Sequence, residues 1–92
     1  MSLPPVITEV MFERIQQDEK WGEQNHDDMT WITVLTEEVG EAAQASLSLA
    51  FGNQTGLNLQ RQRANLRSEL IQVAAVAVAH VEAIDRRDQQ QT

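Results

Sequence analysis

A chain of 92 residues with 41% hydrophobic side chains has material for one small core and no more than one domain. Its formal charge of −7, from 14 acidic against 7 basic side chains, argues against a nucleic-acid polymer as ligand, because phosphate backbones require a basic surface. The absence of cysteine excludes disulfides, thiolate metal sites and a cysteine nucleophile.

No signal-peptide pattern and no apolar run of membrane-spanning length is present. The expectation is therefore a cytoplasmic domain over residues 1–92, with a polar tail from about 85 and no membrane partner. So short a chain buries a modest share of its surface, which makes self-association the natural way to complete a core.

Pro4-Pro5 suits the first turn of a helix, where a missing N–H costs nothing. Ile7, Met11 and Ile15 then recur at intervals of four, so the pattern predicts an amphipathic helix over roughly residues 5–20. The pattern breaks between Trp21 and Met29, where Gly22, Asn25, Asp27 and Asp28 are turn formers. That loop, with Lys20 before it, is dense in ligand-contacting groups: Lys20, Trp21, Gln24 and His26.

A second helix is predicted from Thr30, as N-cap, to about Ala50, with Gly52-Asn53 as its stop. Its apolar stripe passes through Val34, Leu35, Ala42, Ala45 and Leu49. Into this stripe fall three glutamates in five residues, Glu37-Glu38-Val39-Gly40-Glu41. Positions three and four apart share a helix face, so Glu37 and Glu38 both neighbour Glu41. The spacing of Glu38 from Val34, Leu35 and Ala42 turns its carboxylate toward the core side. An unpaired charge there is costly, and a divalent cation is the partner that accepts several carboxylates at once. Gly40 costs roughly 1 kcal/mol in a helix relative to alanine, which points to close packing or ligand approach.

Asn53 to Asn58 reads as a connecting loop, and a third helix is predicted from about Leu59 to Ile84. Leu59, Leu66, Leu70, Val73, Ala77, Val81 and Ile84 give its three-four spacing. From Val73 to Val81 it is apolar on nearly every side, as expected of a helix buried all round. Asp85 to Thr92 is polar and expected to fray. The whole predicts an all-α bundle of three main helices, completed by dimerisation or tetramerisation.

Glu69 is the sole acid between Leu59 and Val81 and borders the buried stripe. Antiparallel packing of the second and third helices would set it opposite Glu38 and Glu41, forming the all-oxygen cage that Mg²⁺ prefers. Mg²⁺ usually bridges carboxylates to substrate phosphates, so such a pocket points to phosphoanhydride chemistry. A solvated acidic face is the bland alternative. His26 and His80 are too few and too far apart for a zinc site, and His80 reads as a packing or interface residue. Trp31 reads as core. Arg61, Arg63 and Arg67 read as a solvated outer face, which leaves Arg14 and Lys20 as phosphate contacts. No glycine-rich phosphate loop or nucleophile–histidine arrangement is present.

Glu37-Glu38-Val39-Gly40-Glu41, followed by Glu69 on a later helix, resembles the MazG-like nucleoside triphosphate pyrophosphohydrolases of the all-α NTP pyrophosphatase superfamily. Dimeric dUTPases are relatives of that group. Lys20-Trp21-Gly22-Glu23-Gln24-Asn25-His26-Asp27 and Glu69-Leu70-Ile71-Gln72-Val73-Ala74-Ala75-Val76-Ala77 resemble its small single-domain members as well, so the likeness spans roughly residues 10–85. The combination is far more specific than EExxE alone. The resemblance implies Mg²⁺-dependent (Mn²⁺ as a substitute) hydrolysis of a nucleoside triphosphate to its monophosphate and pyrophosphate, with a role in clearing unwanted nucleotides. It implies Glu38, Glu41 and Glu69 as metal ligands and Glu37 as an aid to the metal or the attacking water. It places Lys20, Trp21, Gln24, His26 and Gln72 near the nucleotide. One departure stands out: the family's ExxD reads Glu69-Leu70-Ile71-Gln72 here, and a glutamine offers a neutral oxygen or a substrate contact but no charge. The alternative functions are a non-catalytic helical oligomerisation module and a nucleotide-binding module whose site is degenerate.

Overall fold

A computed structural model describes residues 2–52 and 56–90. It contains three helices and, among the described residues, no strand: α1 (Pro5–Trp21), α2 (Asp28–Phe51) and α3 (Gly56–Gln90). No helix of the described residues is long and apolar enough to cross a membrane. α1 and α2 each pack on α3 and not on each other.

α2 and α3 run antiparallel: Asp28, at the start of α2, meets His80 and Arg87, whereas Glu38 and Glu41 lie further along beside Glu69. Their seam is built from small residues. Ala42 and Ala45 of α2 are buried, as are Ala75, Val76, Ala79 and Ala83 of α3. Trp31, at 4% exposure, packs against Val76, Ala79 and Ala83, with Val34 and Leu35 closing over them. Alanine on both sides lets the helix axes approach, so polar groups at the edge of the seam come within reach of one another.

The predicted stripe on the third helix is rotated from the observed one. Leu70 and Val81 are more than half exposed, and the smaller Ala75, Ala79 and Ala83 face α2 instead. With apolar residues on nearly every side of that segment, periodicity alone cannot select the face. α1 contributes one buried side chain, Gln17, while Ile7, Met11 and Ile15 remain largely exposed. It is fastened to α3 mainly by polar contacts: Glu9 pairs with Arg67, Arg14 with Glu82, and Gln17 with Gln72. Arg67 thus lies on the solvated face where it was expected, 57% exposed, and from there also engages α1.

Three boundaries differ from expectation. The N-cap of α2 is Asp27, whose side chain accepts from the Thr30 N–H at 2.7 Å, so Thr30 lies inside the first turn. Hydrogen bonding from the Thr30 side chain, and then from its N–H, holds the Asp27 carboxyl below the usual carboxylate range. α3 begins at Gly56, so Gly56 to Asn58 is helical, and the expectations for Asn53 to Thr55 lie outside the described residues. At its other end α3 continues to Gln90, through most of the segment expected to fray, whose last two residues lie outside the described ones. The cause is visible in its contacts. Arg86 donates to the Asn25 side chain and the Gln24 carbonyl, both at 3.0 Å, and pairs with Glu23; Arg87 pairs with Asp28. These bonds clamp the loop between α1 and α2 onto the last turns of α3. The loop itself starts at Gly22, whose φ of 73° is open to glycine but strained for other residues.

Arg86→Ala therefore removes three anchors of that loop. It is expected to cost about 1 kcal/mol, the usual net worth of such part-exposed bonds. Amide hydrogen exchange at residues 22–27 should rise while the middle of α3 stays protected; unchanged exchange there would refute the clamp.

Candidate metal centre and adjoining cavity

α2 offers Glu38 and Glu41 one turn apart, and α3 offers Glu69 across the seam. One carboxylate oxygen from each lies within 4.8 Å of the other two. Glu38 and Glu69 are half-buried, and Glu41 is exposed. The three expected metal ligands are thus brought together by the packing. Glu37, the expected catalytic aid, is exposed and is not among the three clustered oxygens.

The electrostatics record the crowding. Burial, and then the charges of Glu41 and Glu69, hold the Glu38 carboxyl above the usual glutamate range. Burial, and then the charge of Glu41, does the same to Glu69. A divalent cation fits this donor set. Oxygens sharing one Mg²⁺ at about 2.1 Å are at most about 4.2 Å apart, so small side-chain rotations would close the three onto one ion. Hard carboxylate oxygens without nitrogen or sulfur suit Mg²⁺ or Mn²⁺. Gly40 has open space where a Cβ would stand, so within this chain it does not serve close packing.

Glu38 has a second setting. It also lines a cavity of about 200 Å³ together with Trp21, Gln24, His26, Trp31 and Gln72. Four of the five residues expected near a nucleotide therefore share one cavity, which is contiguous with the carboxylates through Glu38. The fifth, Lys20, does not line it. Its ammonium sits 4.7 Å from the Trp21 ring centre, and it borders a neighbouring cleft that shares Trp21 and Gln72. Arg14, expected to contact phosphate, is held by Asp18, Glu82 and Gln17 instead. Those bonds to carboxylates outweigh its desolvation and keep its guanidinium firmly charged.

Trp31 does more than fill the core. His26 meets it edge-on at 4.9 Å and His80 stacks on it at 5.8 Å, while His80 Nε2 lies 3.0 Å from Asp28 Oδ1. Its indole Nε1 is buried without a hydrogen-bond partner among the described residues. Leaving such a group unpaired costs about 1–3 kcal/mol, comparable with the roughly 1.5–3 kcal/mol gained by burying a large apolar side chain. Gln17 is a further polar residue of the cavity that was not expected there, beside the apolar Val34 and Val76. Its signal was Glu13, Gln17 and Trp21 at intervals of four, one helix face that ends in Trp21, which was expected in the loop and is the last residue of α1.

No protein-family model matches the chain, and no curated protein or solved structure is significantly similar to it.

Because the folded state raises the Glu38 and Glu69 carboxyls, it favours their protonated forms. Their contribution to stability is complete below the ordinary glutamate range and is lost as pH rises through the raised values. Without a divalent ion at neutral pH, Glu38→Gln is therefore expected to raise Tm by a few degrees. Its advantage should fade as pH falls below the ordinary glutamate range. Thermal unfolding at stepped pH in EDTA checks both, and a Tm below wild type at neutral pH would contradict the repulsion.

Proposed function

We propose that this chain is a Mg²⁺-dependent nucleoside triphosphate pyrophosphohydrolase of the MazG-like kind, which converts a ribo- or deoxynucleoside triphosphate to its monophosphate and pyrophosphate. One observation carries the reading: Glu38 belongs both to the three-carboxylate cluster and to the wall of the aromatic and amide cavity. A cation at the cluster and a planar ring in the cavity would then be two ends of one ligand. The cavity, at about 200 Å³, is smaller than the roughly 300 Å³ at which sites for whole drug-sized ligands begin. It suits one part of a substrate whose phosphates lie outside it.

Glu38, Glu41 and Glu69 are assigned as metal ligands. When bound, the ion would neutralise phosphate charge and activate a water. Glu37 shares a helix face with Glu41 and is open to solvent, a position from which it can orient a water at the cluster's rim. Trp21, Gln24, His26 and Gln72 are assigned to the nucleotide, and Lys20 to the neighbouring cleft. The negative chain excludes free polyphosphate by repulsion and admits it with its metal, which reconciles a charge of −7 with an anionic substrate.

The reading includes a homodimer or homotetramer in the cytoplasm. Ile7, Val10, Met11, Ile15, Ala74 and Val78 line an exposed groove of about 420 Å³ between α1 and α3. The same apolar face favours a second reading, a non-catalytic helical module that exists to self-associate.

The two separate in one assay. With Mg²⁺, pyrophosphate and matching monophosphate should appear from a panel of ribo- and deoxynucleoside triphosphates that includes dUTP, and EDTA should stop the release. Glu38→Ala should abolish turnover with its helical circular dichroism intact. Mg²⁺ should also raise the wild-type Tm by mass action. Folded protein that releases no pyrophosphate and is indifferent to Mg²⁺ would favour the module.

A further inference from the structure

A chain of side-chain hydrogen bonds runs from α1 to the cavity, and its direction is fixed by chemistry. Arg14 Nη1 donates to Gln17 Oε1 at 2.9 Å. Arginine has donors and no acceptor, so the Gln17 amide must turn its oxygen toward Arg14. Its NH₂ group then points the other way, toward Glu13 Oε1 at 3.5 Å and Gln72 Oε1 at 3.4 Å. The Glu13 carboxylate demands the same orientation, since it only accepts. Arg14 is itself pinned by Asp18 at 2.9 Å and Glu82 at 2.7 Å, and Gln17 is 9% exposed. The Gln72 amide therefore gives its oxygen to α1, while its two N–H donors have no acceptor among the described residues and the residue itself lines the cavity.

We propose that Gln72 serves this site as a hydrogen-bond donor to an acceptor oxygen of the nucleotide, not as a metal ligand, and that Gln17 is the positioning residue that sets its polarity. The inference rests on the pyrophosphohydrolase reading. It resolves what glutamine does where the resembling family carries an aspartate. An NH₂ group facing the site cannot ligate a cation, so the three carboxylates alone hold the ion. The acceptor belongs to a phosphoryl group or to a base carbonyl, both of which offer the same oxygen to an N–H.

The test is calorimetric titration of the full chain and of Gln72→Leu, Gln17→Leu and Gln17→Glu, with circular dichroism as the folding control. The ligands are Mg²⁺ alone and then, in Mg²⁺, α,β-imido-dUTP, α,β-imido-dATP, their free nucleosides and imidodiphosphate. Each variant is expected to keep the wild-type Mg²⁺ affinity within about 2-fold and to lose about 5- to 10-fold for at least one imido analogue, the worth of one hydrogen bond. A loss shared by the free nucleoside assigns the acceptor to the base; one shared by imidodiphosphate assigns it to a phosphate. Gln17→Glu is the decisive variant. It retains the size of the side chain and the acceptor for Arg14 but presents no donor to Gln72, so a merely structural Gln17 would be rescued by it and a positioning Gln17 would not. Wild-type analogue affinity in Gln17→Glu or Gln72→Leu overturns the proposal, as does a 10-fold loss of Mg²⁺ affinity in Gln72→Leu. A wild-type chain that binds no analogue overturns the pyrophosphohydrolase reading and this inference together, a failure seen before any variant is made.

Discussion

The close approach of α2 and α3 along a seam of alanines is the constraint on which the rest of the molecule depends. Ala42 and Ala45 on one side, and Ala75, Ala79 and Ala83 on the other, replace the larger side chains that would hold the axes apart. Close axes gain dispersion contacts but also draw Glu38 and Glu41 to Glu69. The same packing that forms the core therefore concentrates negative charge at its edge. The half-buried Glu38 and Glu69 lose hydration there, and both are repelled by the neighbouring Glu41.

α1 plays a different part. Its apolar residues stay exposed while its polar face binds α3, the reverse of an ordinary amphipathic helix docking on a core. Exposed ion pairs contribute little each, so Glu9–Arg67 and Arg14–Glu82 orient α1 more than they stabilise it. Orientation is what the cavity requires of this helix. Gln17 and Trp21, four residues apart on one face, are delivered to the cavity only if α1 sits at one rotation about its own axis.

Much of this was legible in the sequence. The glutamate spacing within a helical stripe, with Glu69 isolated on a later helix, was enough to expect the cluster, because helix geometry converts spacing into a shared face. Trp21, Gln24 and His26 read as ligand-contacting from the residue types of their loop, as did Lys20, which borders a neighbouring cleft instead; Gln72 entered only through the family resemblance. What was not legible depends on volume and on long side chains. A run apolar on every side hides which face of α3 binds α2, and only the small size of alanine decides it. Arg14 read as a phosphate contact, Arg67 as part of a solvated face, and Arg86 and Arg87 as part of a fraying tail, yet each reaches a partner far away in sequence. A long flexible cation leaves no periodic trace of its partner.

The C-terminal turns of α3 show how the two levels join. Composition predicts fraying there, since Asp85 to Gln90 carries almost nothing apolar. The segment is helical because Arg86 and Arg87 hold the loop that follows α1 and the first turn of α2. That loop supplies Gln24 and His26 to the cavity, and His26 in turn meets the edge of Trp31. The wall of the cavity is therefore set from two ends. The buried Trp31 positions it from the core side, and the polar end of α3 positions it from the solvent side. Burial holds one side at a cost in dynamics, whereas exposed polar bonds exchange readily with water. The loop side of the cavity is thus held by solvent-exchangeable bonds, while Trp31 and the alanine seam hold the core side by burial.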